Sequence, residues 1–306
     1  MILNDPHDHL EEIEQQFQTL IQNWKTGSTA HLYSFYEPPG GGKTWLLEHW
    51  KKKWGGVLLD LSENASTPTE YIRRAQERLA RAAGRYILYL DNVPVILDER
   101  IQAFQEEILQ PALQSGGLVI QCQIHPNQTC WGGAIPHTTP TPIPGLTQAG
   151  ILALRKQYGL SDPLNATEQI LFSCNGALPG LVTTWCQGLR DKKTGQTILR
   201  DYLYNWWARF EAPVTSGFST QLYPYAMLAC CNLVDMNELL RLLPAGEKAR
   251  LEGAGISFAE RGLQLILKLK RLQWVQTDNS WYPPIAAVLK TWLSLRNPNL
   301  YQALTS

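Results

Sequence analysis

One stretch, HLYSFYEPPGGGKTWLLEHW, constrains this chain more than any other. His31 to Tyr36 reads as an apolar strand, and Lys43 to Trp54 reads as an amphipathic helix. Between them, glycines 40, 41 and 42 let the backbone turn inward without Cβ clashes. The rest of the first half repeats the alternation. Further strands are predicted at Gly56 to Leu61, Arg85 to Asp91, Gly117 to Cys122 and, more weakly, Thr141 to Leu146. Helical patterns fall at Pro68 to Ala83, Glu99 to Gln114 and Thr147 to Tyr158, and His9 to Lys25 gives a further helix packed on the sheet edge. Strands alternating with helices predict an α/β fold with a five-stranded parallel sheet.

A glycine-rich loop between a strand and a helix is built to hold a polyphosphate. Its N–H groups turn toward the anion, and the helix N-terminus adds its dipole. Lys43 can reach the outer phosphates and Thr44 can ligate Mg2+, so the run follows the Walker A pattern GxxxxGK[ST]. One position departs from it: Glu37 stands where the pattern begins with glycine. A negative side chain there is unhelpful if it points inward, and Pro38 stiffens the turn beside it.

The strand RYILYLDNV ends in Asp91, a carboxylate able to hold hydrated Mg2+ beside the loop. Lys43 and Asp91 are thus the candidate catalytic residues. Gly40, Gly41, Gly42, Lys43 and Thr44 are the nucleotide-binding set, and Thr44 and Asp91 the metal ligands. The residue after Asp91 is Asn92, where hydrolytic relatives of this class carry a second acid. An amide cannot take a proton from water, so ATP hydrolysis is expected to be slow or absent, and an acid at position 92 to raise it. Gln121 and Gln123, at the end of GGLVIQCQ, read equally as polar sensors of a phosphate and as ordinary sheet-end glutamines.

Composition sets the outer limits. A chain of 306 residues with 44% hydrophobic content can bury a large core, and 27 basic against 27 acidic residues leave no chain-wide field for nucleic acid or an anionic membrane. The start, MILNDPHDHLEEIEQQF, lacks a secretory pattern, and no run of about 18 apolar residues occurs. The six cysteines, at 122, 130, 174, 186, 230 and 231, have no metal-ligand spacing. A cytoplasmic protein with buried free thiols and no membrane partner is expected.

After about Leu146 helices take over, with SDPLNATEQILF giving a capped helix start and CNGALPG a stop. The last portion, Leu233 to Leu243, Phe258 to Leu272, a two-stranded wing around Trp274 to Trp281, and Ile285 to Leu295, reads as a winged helix. Three domains are expected: a nucleotide-binding domain over 1–146, a helical lid over 147–215 and a winged helix over 216–306.

In this order, EPPGGGKTWLL, YILYLDNV and CNGALPGLV make the chain resemble the STAND signal-transduction ATPases of the AAA+-like group. The resemblance implies a switch in which ADP holds a closed monomer, and ATP with a trigger opens it to a homo- or hetero-oligomer that recruits an effector. It also implies bacterial defence, antiviral or cell-death pathways, and places Pro179 near the adenine as the proline of the GxP motif. The chain ends at Ser306, soon after the winged helix, so the effector or sensor is expected on a separate polypeptide. Besides Glu37 and Asn92, it departs from the family in having no arginine after the fourth strand.

Two other readings stand beside this one. An AAA+-like, DNA-associated ATPase would use Lys268, Lys270 and Arg271 on a recognition helix, although only nine basic residues face six acidic ones from Gln221 onward. Duplex DNA is therefore the less favoured partner. A pseudo-ATPase would serve only as an adaptor scaffold. Adjacent Trp206 and Trp207 cannot both point fully inward from one helix face, so one of them is expected at a domain or partner interface.

Overall fold

The computed structural model describes residues 10–27, 32–37, 40–61, 68–80, 86–93, 98–123, 131–132, 135, 140–174, 177–208, 211, 217–276 and 278–305, the side chains of Tyr71 and Cys174 excepted. His31, Arg85, Cys130 and residues 175–176 of the CNGALPG motif lie outside them. The chain forms two compact units, His7–Pro144 and Gly145–Ser306.

The first unit is an α/β layer structure. Its elements run α1 (Glu11–Lys25), β1 (Leu32–Tyr36), α2 (Lys43–Trp54), β2 (Val57–Asp60), α3 (Pro68–Ala80), β3 (Ile87–Asp91), α4 (Glu99–Phe104), a π-helical turn (Gln105–Leu109), α5 (Gln110–Gln114), β4 (Leu118–Gln123) and β5 (Thr141–Pro142). The five strands are parallel, in the order β2-β3-β4-β1-β5. Because helices cover both faces, the central strands β3 and β4 are buried along their whole length, and apolar residues point into a core on either side. Leu88, Leu90 and Val119 join the core under α3 to α5, while Ile87, Tyr89, Ile120 and Cys122 join the core under α1 and α2. In the latter, Phe17 of α1 stacks on Trp50 of α2 at 3.9 Å between ring centres, and the Trp50 indole donates to Glu14 at 2.6 Å.

Two expectations change in detail. The fifth strand is only two residues long, because Pro140, Pro142 and Pro144 remove the N–H groups a longer ladder would need. The helix predicted over Glu99 to Gln114 is continuous but holds a π turn just before Pro111, whose ring and missing N–H disfavour regular α geometry there. The turn orients Gln105, whose amide both donates to the Gly132 carbonyl and accepts from the Gly132 N–H, at 2.8 and 2.7 Å.

The second unit is helical: α6 (Gln148–Gln157), α7 (Ala166–Cys174), α8 (Pro179–Arg190), α9 (Gly195–Trp207), α10 (Phe218–Cys231), α11 (Met236–Leu242), α12 (Ala245–Gly253), α13 (Gly262–Arg271), α14 (Pro283–Arg296) and α15 (Pro298–Thr305). The predicted cap at the start of α7 is a reciprocal box. Asn165 Oδ1 accepts from the Glu168 N–H, and Glu168 Oε2 accepts from the Asn165 N–H. The other oxygen of Glu168 accepts from Arg155 and from the Trp185 indole, joining α6, α7 and α8 through a buried ion pair.

Between α13 and α14 the chain makes a short hairpin. Val275 bridges Trp281, and the Tyr282 N–H donates to the Trp274 carbonyl at 2.9 Å. The expectation that Trp206 and Trp207 cannot both point inward is corrected here, since both are buried. Trp206 donates to the Leu272 carbonyl at 2.9 Å, whereas Trp207 packs edge-on against Phe218 and Trp274. Helix α9 is covered on more than one side, so adjacent positions can both face the core. No helix among the described residues is long and apolar enough to cross a membrane. Cys122, Cys186 and Cys230 are buried free thiols, and Cys231 is a half-buried one.

Candidate functional site

The site forms where β1 and β3 end. Gly40 and Gly42 take φ values of 89° and 86°, a left-handed region that side chains other than glycine rarely adopt, and Gly42 caps α2. The loop therefore passes directly into a helix N-terminus that carries no acidic residue in its first turn. Lys43 folds back along the loop, its Nζ donating to the Glu37 carbonyl at 2.7 Å.

Thr44, in the first turn of α2, donates its hydroxyl to Asp91 Oδ2 at 2.6 Å. The other oxygen of Asp91 accepts the Asn92 N–H at 2.9 Å. β4 lies between β1 and β3, so the loop and the start of α2 carry Thr44 past that strand to reach Asp91. Burial raises the Asp91 carboxyl above its ordinary value, and the nearby Asp60 charge adds to the rise. The Thr44 and Asn92 hydrogen bonds and the Lys43 charge oppose it. Lys43, Thr44 and Asp91 thus form one cluster with Gly40, Gly41 and Gly42. Pro179 is the first residue of α8 and belongs to the second unit.

Asn92 has φ of 51°, and its side-chain amide donates to Asp60 Oδ1 at 2.9 Å. Asp60 ends β2 and pairs in register with Asp91. Residue 92 therefore turns toward the neighbouring strand tip. Asp60 was missed by sequence reasoning, although the parallel endings VLLD and YLDN carry the signal. Gln121 is committed to the sheet end: its amide donates to Ser34 Oγ at 2.8 Å and Gln123 Oε1 at 2.9 Å, and its Oε1 accepts from the Trp131 indole at 2.8 Å. This supports the plain structural role for Gln121 over that of a sensor.

Glu37 points inward. Its side chain is 3% exposed, and a methyl group on Gly41 would overlap its carboxyl. The glycine at 41 leaves the space that the Glu37 side chain fills. The Thr44 hydroxyl, the Asp91 carboxylate, Lys43 and the open loop N-terminus fit a magnesium polyphosphate in charge and donor chemistry. An ionised Glu37 carboxylate in the loop does not fit an anion, whereas its neutral acid form does.

No protein family's sequence profile matches the chain, and no curated protein matches it. Among solved structures it is similar to the Walker-type ATPase PABY2304 of Pyrococcus abyssi, with 12% identity, a TM-score of 0.52, and coverage of 92% of this chain and 95% of that one. It is also similar to C. elegans PCH-2, with 12% identity and a TM-score of 0.37 over 63% of this chain and 62% of that one, a likeness too slight to weigh. The likeness shows that this chain shares the fold of that Walker-type ATPase.

Proposed function

We propose that this protein is a regulatory switch driven by ATP and ADP with Mg2+, of the STAND, AAA+-like kind, which hydrolyses nucleotide slowly and controls assembly with a separate effector or sensor protein. The observation that carries the reading is the pairing of Thr44 with Asp91 at the loop, beside an Asn92 whose amide is bound to Asp60. Lys43 and the N-terminus of α2 would hold the phosphates, and Thr44 and Asp91 the magnesium. Bound magnesium would neutralise phosphate charge. Asn92 offers no base to water, so the site is suited to holding a nucleotide state.

The helices and hairpin of the second unit support the remaining parts. α11, α12 and α13 followed by the Trp274 to Tyr282 hairpin fit a winged helix, and α6 to α9 fit a helical lid. The proposed domains are 1–146, 147–215 and 216–306. Pro179 enters as an adenine-side residue through the resemblance alone. A cytoplasmic location and a defence pathway belong to the same reading.

Lys268 and Arg271 lend the DNA-associated alternative little support. Lys268 pairs with Glu260 and lies over the Trp207 ring, and Arg271 pairs with Glu211. The adaptor reading gains from one observation, the Glu37 carboxyl inside the loop. The test is the nucleotide content of the purified protein, then its mass in solution with ADP and with a non-hydrolysable ATP analogue. Bound nucleotide and a larger assembly with the ATP analogue are expected. Failure to bind either nucleotide with Mg2+ would leave only the adaptor.

A further inference from the structure

Glu37 is the one residue of the loop whose chemistry opposes the loop's purpose. Its carboxyl lies against the Gly41 backbone, and both carboxyl oxygens are buried without a hydrogen-bond partner among the described residues. A buried carboxylate with no donor is unstable, because nothing replaces the water it has lost. The backbone there is in use: the Glu37 N–H donates to the Gln123 carbonyl at 3.1 Å, and its carbonyl accepts from Lys43. These two bonds hold the Glu37 backbone at the start of the loop. The charged and titratable groups facing it are Lys43 at the start of α2 and the Cys122 thiol on β4, with Asp91 entering the same cluster through Cys122.

From this geometry, and resting on the nucleotide reading above, we propose that Glu37 is a phosphate-contacting residue that works as a neutral acid, so that nucleotide binding takes up a proton wherever the free protein's carboxyl is ionised. The uncharged carboxyl donates its O–H to a phosphate oxygen, and the ionised form repels the same oxygen. Burial holds this carboxyl well above its ordinary value of 4.5, with the Lys43 charge pulling the other way. An incoming polyphosphate adds negative charge and so favours the protonated form further. Gly41 is the companion change, since any larger residue there would expel the acid from the loop.

The experiment is calorimetric titration of MgADP into the full chain between pH 6 and 9, in two buffers of different ionisation enthalpy. Three proteins are compared: wild type, Glu37→Gln, and the double variant Glu37→Gly with Gly41→Ala, which restores ordinary loop volume should the glutamine variant fold poorly. Above the pH at which the free protein's carboxyl ionises, wild type is expected to take up close to one proton per ADP more than either variant, and below that pH no more than they do. Its affinity should fall by about tenfold per pH unit above the carboxyl's titration, while the variants stay nearly flat. Binding with the same proton count and pH slope in all three would overturn this inference alone. No binding by any of them would overturn the nucleotide reading too.

Discussion

The side-chain amide of Asn92 donates to the Asp60 carboxylate at 2.9 Å, tying the tip of β3 to the tip of β2. Replacing Asn92 by Asp sets two carboxylates against each other and removes the bond, with an expected loss of about 1 kcal/mol. Asn92→Glu is worse by roughly 1 kcal/mol more, because φ of 51° disfavours an ordinary side chain. The expectation that an acid here raises turnover is thus revised: single-turnover phosphate release should stay within a few-fold of wild type in both variants. A tenfold rise would show that residue 92 reaches the attacking water after all.

Glu37 and Gly41 compete for one volume, so their substitutions should be strongly coupled. Gly41→Ala in the wild-type background is expected to cost about 1–3 kcal/mol in urea unfolding, from overlap with the buried carboxyl. In a Glu37→Gly background the same change should be close to neutral. A double-mutant cycle with additive effects would show that the two side chains do not share the space.

Asp91 carries a pH dependence with a definite sign. Its folded carboxyl is raised above the ordinary 3.8, so its contribution to stability is fully present below that value and is lost as pH rises through the folded one. Thr44→Val removes a hydrogen bond that holds the value down and should steepen the loss, whereas Asp91→Asn should flatten it. Urea midpoints between pH 4 and 8 give the comparison. Either change should also abolish the Mg2+ dependence of nucleotide affinity.

The ion pair of Arg155 and Glu168 has side chains only 4% and 1% exposed. Arg155→Met leaves the carboxylate uncompensated and should cost about 3–5 kcal/mol. Adding Glu168→Met should recover part of that, not all, because the Trp185 indole and the Asn165 N–H then lose their acceptor. Denaturant midpoints of the two variants decide it.

Lys268 is a structural cation, 4.7 Å from the centre of the Trp207 ring and paired with Glu260. Lys268→Met is expected to lower stability by about 1–2 kcal/mol while leaving the affinity for a fluorescent DNA duplex unchanged. A large drop in duplex affinity at constant stability would restore the DNA-associated reading.

The strand, loop and helix around Lys43 were legible because glycine, lysine and threonine each have one evident use at their spacing. The parallel sheet was legible because its strands are apolar on both faces, as the alternating sides taken by Ile87, Leu88, Tyr89 and Leu90 show. The inward turn of Glu37 was not, since it depends on the space left by Gly41. Nor was the Asn92 to Asp60 bond, which depends on which strands lie side by side. Burial of both Trp206 and Trp207 escaped for a related reason: periodicity along one helix does not say how many neighbours surround it.

The loop passes β4 on its way from β1 to the Thr44 to Asp91 bond, and the tip of β4 is fastened through Gln121 to the indole of Trp131. Trp131 is itself held in a small apolar nest beside Phe104, while Gln105 grips the next residue. A ligand that shifts Gln121 at this strand tip shifts the hydrogen bond on the indole with it. The protein therefore carries a native optical antenna at its site, whose emission, compared with that of Trp131→Phe, reads the motion without any attached dye.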